Sequence, residues 1–233
     1  MKESGAGRPL GYHRRSVLLP LFPLPNVVHF PGTRLPLHVF EPRYREMVAD
    51  LLSLPEGERR IGMLLTARGG AGIELLEPGC AGRLVVHEPL EDGRSNIVLE
   101  GEFRFVIDRE VGGRAYRQAV VRQLEDDPPL VDAVRGERLQ RELVSLVADL
   151  VRASPDRAPL DLAELAGSGR VPAHLLANRL AHQLDLPALR KQMLLAEEPL
   201  DRAREVAGIL RSRVTLLRTL APYRHLAPSA EQN

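Results

Sequence analysis

Leu18–Leu52, LLPLFPLPNVVHFPGTRLPLHVFEPRYREMVADLL, contains two short apolar runs, a Pro31-Gly32 corner and an amphipathic helix. Leu35, Leu37 and Val39 alternate with Arg34, Pro36 and His38, the period of a strand with one buried face. Pro31-Gly32 suits positions i+1 and i+2 of a type II turn, where glycine takes positive φ without a Cβ clash. Pro25, Pro31 and Pro36 have no N–H, which predicts short, bulged or edge strands around them. Pro42 fits the first turn of a helix. Tyr44, Met47, Val48, Leu51 and Leu52 follow at helical spacing as its core face.

The motifs Leu19-Pro20-Leu21, Pro23-Leu24, Val27-Val28, Phe30-Pro31-Gly32, Pro36-Leu37 and Phe40-Glu41-Pro42-Arg43-Tyr44 run in fixed order here. In this the chain resembles the start of the Lon protease N-terminal domain, the Lon substrate-binding domain. The Phe-Glu-Pro-Arg-Tyr ending looks more like the short, free-standing bacterial members than full-length Lon. Lon itself often carries Asp where this chain has Asn26.

At 233 residues, 44% of them hydrophobic and 27% charged, the chain can bury a sizeable core and has the balance of a globular protein. A net charge of +1 gives no long-range pull toward nucleic acid or acidic lipid. Lys2 and Lys191 are the only lysines, and Cys80 is the only cysteine. One cysteine allows no intramolecular disulfide and suits a reducing compartment. Arg14-Arg15 precede an apolar run, but Pro20, Pro23 and Pro25 break it at once, unlike a secretion signal. No stretch reaches the ~18 apolar residues of a membrane helix, so a cytoplasmic protein without a membrane partner is expected.

Residues 1–15 and 223–233 read as tails. Ile61–Leu65 is a compact buried strand. Arg68-Gly69-Gly70-Ala71-Gly72 has the look of a phosphate loop without its Lys-Ser/Thr pair, so a strand connector is expected. Gly79–Leu124 reads as a β-meander with strands at Arg83–His87, Asn96–Leu99 and Tyr116–Leu124. Its hairpin falls at Glu91-Asp92-Gly93-Arg94. Phe103, Phe105 and Ile107 alternate there with Arg104, Val106 and Asp108. Glu125-Asp126-Asp127-Pro128-Pro129 marks a boundary, after which the period changes from strand to helix.

Leu139, Leu143, Leu146, Val147, Leu150 and Val151 share one helix face. Ser154–Gly169 is a connection with a helical turn at Leu160–Leu165. Pro172 opens a second helix that runs to Leu184, and Asp185 with Pro187 caps a third. Leu200, Ala203, Ala207, Leu210, Val214 and Leu217 stripe a last helix, Pro199–Leu220, about 33 Å long, which Pro222 stops. Gly79–Arg83, Asp92–Phe105, Leu176–Leu184, Arg190-Lys191-Gln192 and Pro199–Ala203 are again similar to the family. The resemblance implies an α+β fold: a PUA-like β pseudo-barrel over residues 16–126, then a helical subdomain over 127–222, each with its own core.

Full-length Lon carries a nucleotide-binding module and a serine–lysine protease. Neither lysine here sits in a P-loop or beside a serine nucleophile, so no enzyme activity and no cofactor are expected. His29, His38, Cys80 and His87 are the residues with metal-ligand chemistry in the β region, and none has metal-motif spacing. Two alternatives for partners stay open. The resemblance implies recognition of unfolded or extended polypeptide, as an adaptor or chaperone-like binder working with a protease or chaperone. A PUA-like RNA-binding module would use Arg43-Tyr44 and Arg104-Phe105 to stack on bases, against the near-neutral charge. Homo-oligomerisation is left open. For polypeptide, strand alternation turns His38 and Phe40 away from the core. With Phe22, Leu24 and Phe30 from the proline-broken run, and Arg43 and Tyr44 at the helix start, they form the candidate binding surface.

Overall fold

The computed structural model describes residues 16–70, 72–128, 130–153 and 171–221. The expected tails, the Ser154–Gly169 connection with its helical turn, and Pro222 lie outside them. The strands are β1 (Ser16–Leu24), β2 (Arg34–Val39), β3 (Arg60–Gly69), β4 (Gly72–Pro89), β5 (Ser95–Val111) and β6 (Gln118–Gln123). The helices are α1 (Pro42–Leu52), α2 (Ala133–Ala153), α3 (Ala173–Gln183), α4 (Ala188–Ala196) and α5 (Pro199–Leu220). The fold is α+β, with the sheet first and the helical part at the C-terminal side.

The strand order is β2-β5-β4-β3-β1-β6, and a β5–β6 pairing closes β5, β4, β3, β1 and β6 into a ring. Among the described residues, only β1 and β3 pair in parallel. Closure depends on two long strands that the sequence reading cut short. β4 spans 18 residues and β5 spans 17. Bulges at Ala81/Gly82, Leu84/Val86 and Ile107/Arg109 bend them, so that one strand serves different neighbours along its length. β5 pairs β2 through Ser95–Glu100 and β6 through Phe105–Val111. Tyr116 precedes β6 instead of opening it, and its hydroxyl donates to Asp50 of α1 at 2.7 Å. The glycine run joins β3 to β4, with Gly69 opposite Gly72.

α1 forms as its spacing predicts, with Pro42 in the first turn and Tyr44, Met47, Val48 and Leu51 buried. The last helix has the expected bounds. At the third, the residue that precedes the helix is Pro187, with no side-chain cap; Asp185 instead offers its carbonyl to Arg213 of α5. α2 and α5 run parallel, as their ion pairs show in order: Arg135–Asp201 at 2.6 Å, Glu142–Arg211, and Arg218–Asp149 at 3.0 Å.

The β part has core clusters of its own, but the core of the helical part reaches into it. The helical cluster of Leu143, Val147, Leu180, Ala207 and Leu210 takes in Val28, Phe30 and Leu65 from the β part. Polar bolts reinforce the joint. Arg104 of β5 is 1% exposed and Arg202 of α5 is 0% exposed. Both grip Asp126, Arg104 at 2.7 Å and Arg202 at 3.3 Å. Arg104 also donates to the carbonyls of Leu195 and Glu197 at the end of α4; Arg202 reaches those of Leu194 and Glu197. One carboxylate and a set of carbonyls thus satisfy two buried guanidiniums, as burial requires. Asp126 is therefore a structural anchor and not a free linker residue.

Candidate functional site

The Phe30-Pro31-Gly32 corner is built as a turn. Gly32 has φ 75°, and Thr33 N–H donates to the Phe30 carbonyl at 3.3 Å. Asn178 of α3 donates to the Pro31 carbonyl at 3.0 Å. A Cβ at Gly101 would lie 2.2 Å from the Phe30 carbonyl oxygen, so only glycine lets β5 pass this close. Beside the corner, His29 is 1% exposed. Its Nε2 donates to the Thr33 carbonyl at 3.1 Å, while its Nδ1 has no hydrogen-bond partner. Burial, with a smaller contribution from His182, pushes its pKa down to about 4 against that hydrogen bond. The corner is thus a welded, uncharged joint.

The other end of β2 is different. Phe40 is 59% exposed, and its ring stacks on His38 with centroids 6.1 Å apart. His38 Nδ1 lies 2.8 Å from Asn96 Oδ1, and Arg94 approaches its Nε2 at 3.4 Å. Asn96 donates in turn to Glu88 at 3.2 Å. Next to Phe40, Arg43 pairs with Glu41 at 2.7 Å and lies 4.5 Å over the Tyr44 ring. A Cβ at Gly93 would lie 2.2 Å from an Arg45 guanidinium nitrogen, so the β4–β5 turn closes onto α1. The end of β2, the start of α1 and the β4–β5 hairpin thereby form one exposed patch, with an aromatic ring at its centre and paired charges around it.

Of the residues expected on the binding surface, His38, Phe40 and Arg43 come together here. Leu24 is partly buried, at the end of β1. Phe22, Phe30 and Tyr44 are core residues. Phe22 and Tyr44 pack ring to ring at 4.0 Å inside the barrel, and the helices cover Phe30. The arginine–aromatic pairs fare no better as base-stacking sites. Tyr44 is buried on the core face of α1 against Phe22, and Arg104 and Phe105 are buried on opposite faces of β5, one against Asp126 and the end of α4 and the other in the barrel.

Cys80 is buried, and burial raises its thiol pKa, with Asp126 adding to the effect; it is poorly placed as a nucleophile or ligand. Among the described residues, no group of three or more His, Cys, Asp or Glu is placed to hold a metal ion. Those residues also include no helix long and apolar enough to cross a membrane. A recess of about 280 Å³ along Glu110–Arg117, lined by Val111 and Tyr116, is open to solvent.

A family model described as the ATP-dependent protease La (LON) substrate-binding domain matches residues 18–212. Lon protease of Anaeromyxobacter dehalogenans is 30% identical over 183 residues, 76% of this chain and 21% of that protein. Lon protease of Roseiflexus castenholzii is 29% identical over 197 residues, 83% of this chain and 24% of that protein. The chain therefore spans about a fifth to a quarter of the length of these relatives. The Lon N-terminal domain protein of Xanthomonas campestris superposes with a TM-score of 0.56 at 24% identity, covering 82% of this chain and 98% of that one. For the N-terminal domain of Mycobacterium avium complex Lon protease the TM-score is 0.63 at 13% identity, over 85% and 98% of the two chains. Both show a shared fold.

Proposed function

The chain belongs to the Lon substrate-binding domain family, and from that premise we propose that it is a recognition module for unfolded or extended polypeptide. One observation supports this most directly. Phe40 holds an aromatic ring in solvent at the end of a terminal strand, while Phe22, Phe30 and Phe105 are spent on the core. A rigid, exposed aromatic beside an arginine suits contact with many different chains. The patch carries paired charges of both signs and so selects for apolar character more than for charge.

In this reading the module is non-catalytic and works as an adaptor or chaperone-like binder in the cytoplasm. Lys191 donates to the His182 carbonyl at 2.7 Å, a packing role and not that of a nucleophile's base. Binding is weak, on the order of micromolar to millimolar, because ordering a flexible peptide offsets much of the contact energy. The test is titration of wild type and Phe40→Ala with a permanently unfolded polypeptide. Phe40→Ala is expected to stay folded and to bind several-fold more weakly. Unchanged affinity in a folded variant would refute the patch.

A further inference from the structure

Among the described residues, β2 is the terminal strand of the sheet order and pairs with β5 alone. Which of its backbone groups are free follows from the register. Gly101 N–H donates to the Thr33 carbonyl at 2.9 Å while its own carbonyl accepts from Gly32 N–H at 2.8 Å, a bulge that sets the phase of the ladder, so every second pair after Thr33–Gly101 exchanges both bonds. Leu35–Leu99, Leu37–Ile97 and Val39–Ser95 are therefore the bonded pairs, and Arg34, Pro36 and His38 aim their backbone groups away from β5. Pro36 thus sits where a missing N–H takes nothing from the sheet. The Arg34 backbone is engaged by the His182 ring. Among the described residues, no hydrogen bond engages the Pro36 carbonyl or the N–H and C=O of His38. Both residues are exposed.

Resting on the reading above, we propose that the client binds as an added β-strand along the Pro36–His38 edge. One client residue exchanges both backbone bonds with His38, and another donates its N–H to the Pro36 carbonyl. The residue opposite His38 points its side chain to the same face, beside the His38–Phe40 stack, so an aromatic or β-branched residue fits there. The occupant is an extended apolar segment of another protein. Pairing β2 with a second copy of itself would bring a donorless Pro36 from each strand into the ladder, whereas a proline-free client meets only one. The engaged Arg34 backbone ends the site on one side and keeps it short. That suits capture of brief extended segments and not the growth of a continuous sheet.

A labelled peptide with the core Thr-Val-Phe-Val-Thr tests the proposal through two variants. Both remove the imidazole, but only His38→Pro removes the N–H. Fluorescence titration is expected to show His38→Pro at least about tenfold weaker than His38→Ala. In wild type, amide exchange read by NMR should slow at His38 when the peptide is added, and stay unchanged at Leu37, which is already bonded to β5. Equal losses in the two variants, with no slowing at His38, would overturn strand addition. If Phe40→Ala still weakened binding in that case, the patch would stand without the strand. If all three variants bound like wild type, the patch would fall as well. Should His38→Pro not fold, exchange at the wild-type His38 amide decides alone. A dimer that dissociates in His38→Pro, with no peptide effect, would assign the edge to a second copy instead.

Discussion

Phe30 and Phe40 lie close together in one proline-rich stretch, each with a histidine beside it, yet they have opposite fates. Phe30 is sealed in the core of the helical part, with His29 buried and uncharged next to it. Phe40 stands in solvent with His38 stacked on it and hydrogen-bonded to Asn96. Local chemistry does not separate them. The difference is what comes to rest on each, and for Phe30 this is helices far along the chain. One aromatic is used to weld the two halves together, and the other is left for a partner.

Phe30→Ala should break that contrast most severely. Emptying a fully buried phenylalanine site costs about 3–5 kcal/mol, and here the cavity opens between barrel and helices. Chemical denaturation should show the loss in both parts together; loss of the helices alone would mean that the joint is not shared.

The next largest effect is a pH dependence. His29 falls from 6.5 to about 4 on folding, so the unfolded chain binds its proton first. The stabilising contribution is complete above pH 6.5 and is lost as pH falls toward 4, roughly 3 kcal/mol in all. His182, also lowered by burial and then by Lys191, steepens the same limb. Urea titrations from pH 7 to 4 should show the fall in wild type and a shallower one in His29→Gln. Equal slopes would place the proton elsewhere.

Gly32→Val tests the corner itself. A Cβ there would meet Leu175 at an ordinary 3.4 Å, so crowding is not the obstacle. The positive φ is, and a β-branched residue should lose about 1–2 kcal/mol. An unchanged melting temperature would show that the turn relaxes. The smallest effect belongs to Phe40→Ala, at most about 0.5 kcal/mol for an exposed ring. A loss near that of Phe30→Ala would mean that Phe40 is part of the core and would remove the basis of the proposed patch.

Much of this architecture is legible in the chain. Pro31-Gly32 dictates its own turn because the φ restriction is local to each residue. α1 and α5 announce themselves through proline in the first turn and apolar residues at helical spacing. Strand alternation alone turned His38 and Phe40 outward, and the ordered motifs indicated the family. Periodicity says which side of an element is apolar, but not what covers the other side. Arg104 reads as the polar face of β5, yet it is buried because the end of α4, Glu197 just after it and Asp126 close over it with enough oxygens to satisfy its charge. The same long-range packing drew Phe22, Phe30 and Tyr44 inside, carried Phe30 into the core of the helical part, and let bulged β4 and β5 close the ring. Backbone preferences act between neighbours and can be read in order. Burial and register depend on contacts between residues distant in the chain, and only the assembled structure brings those together.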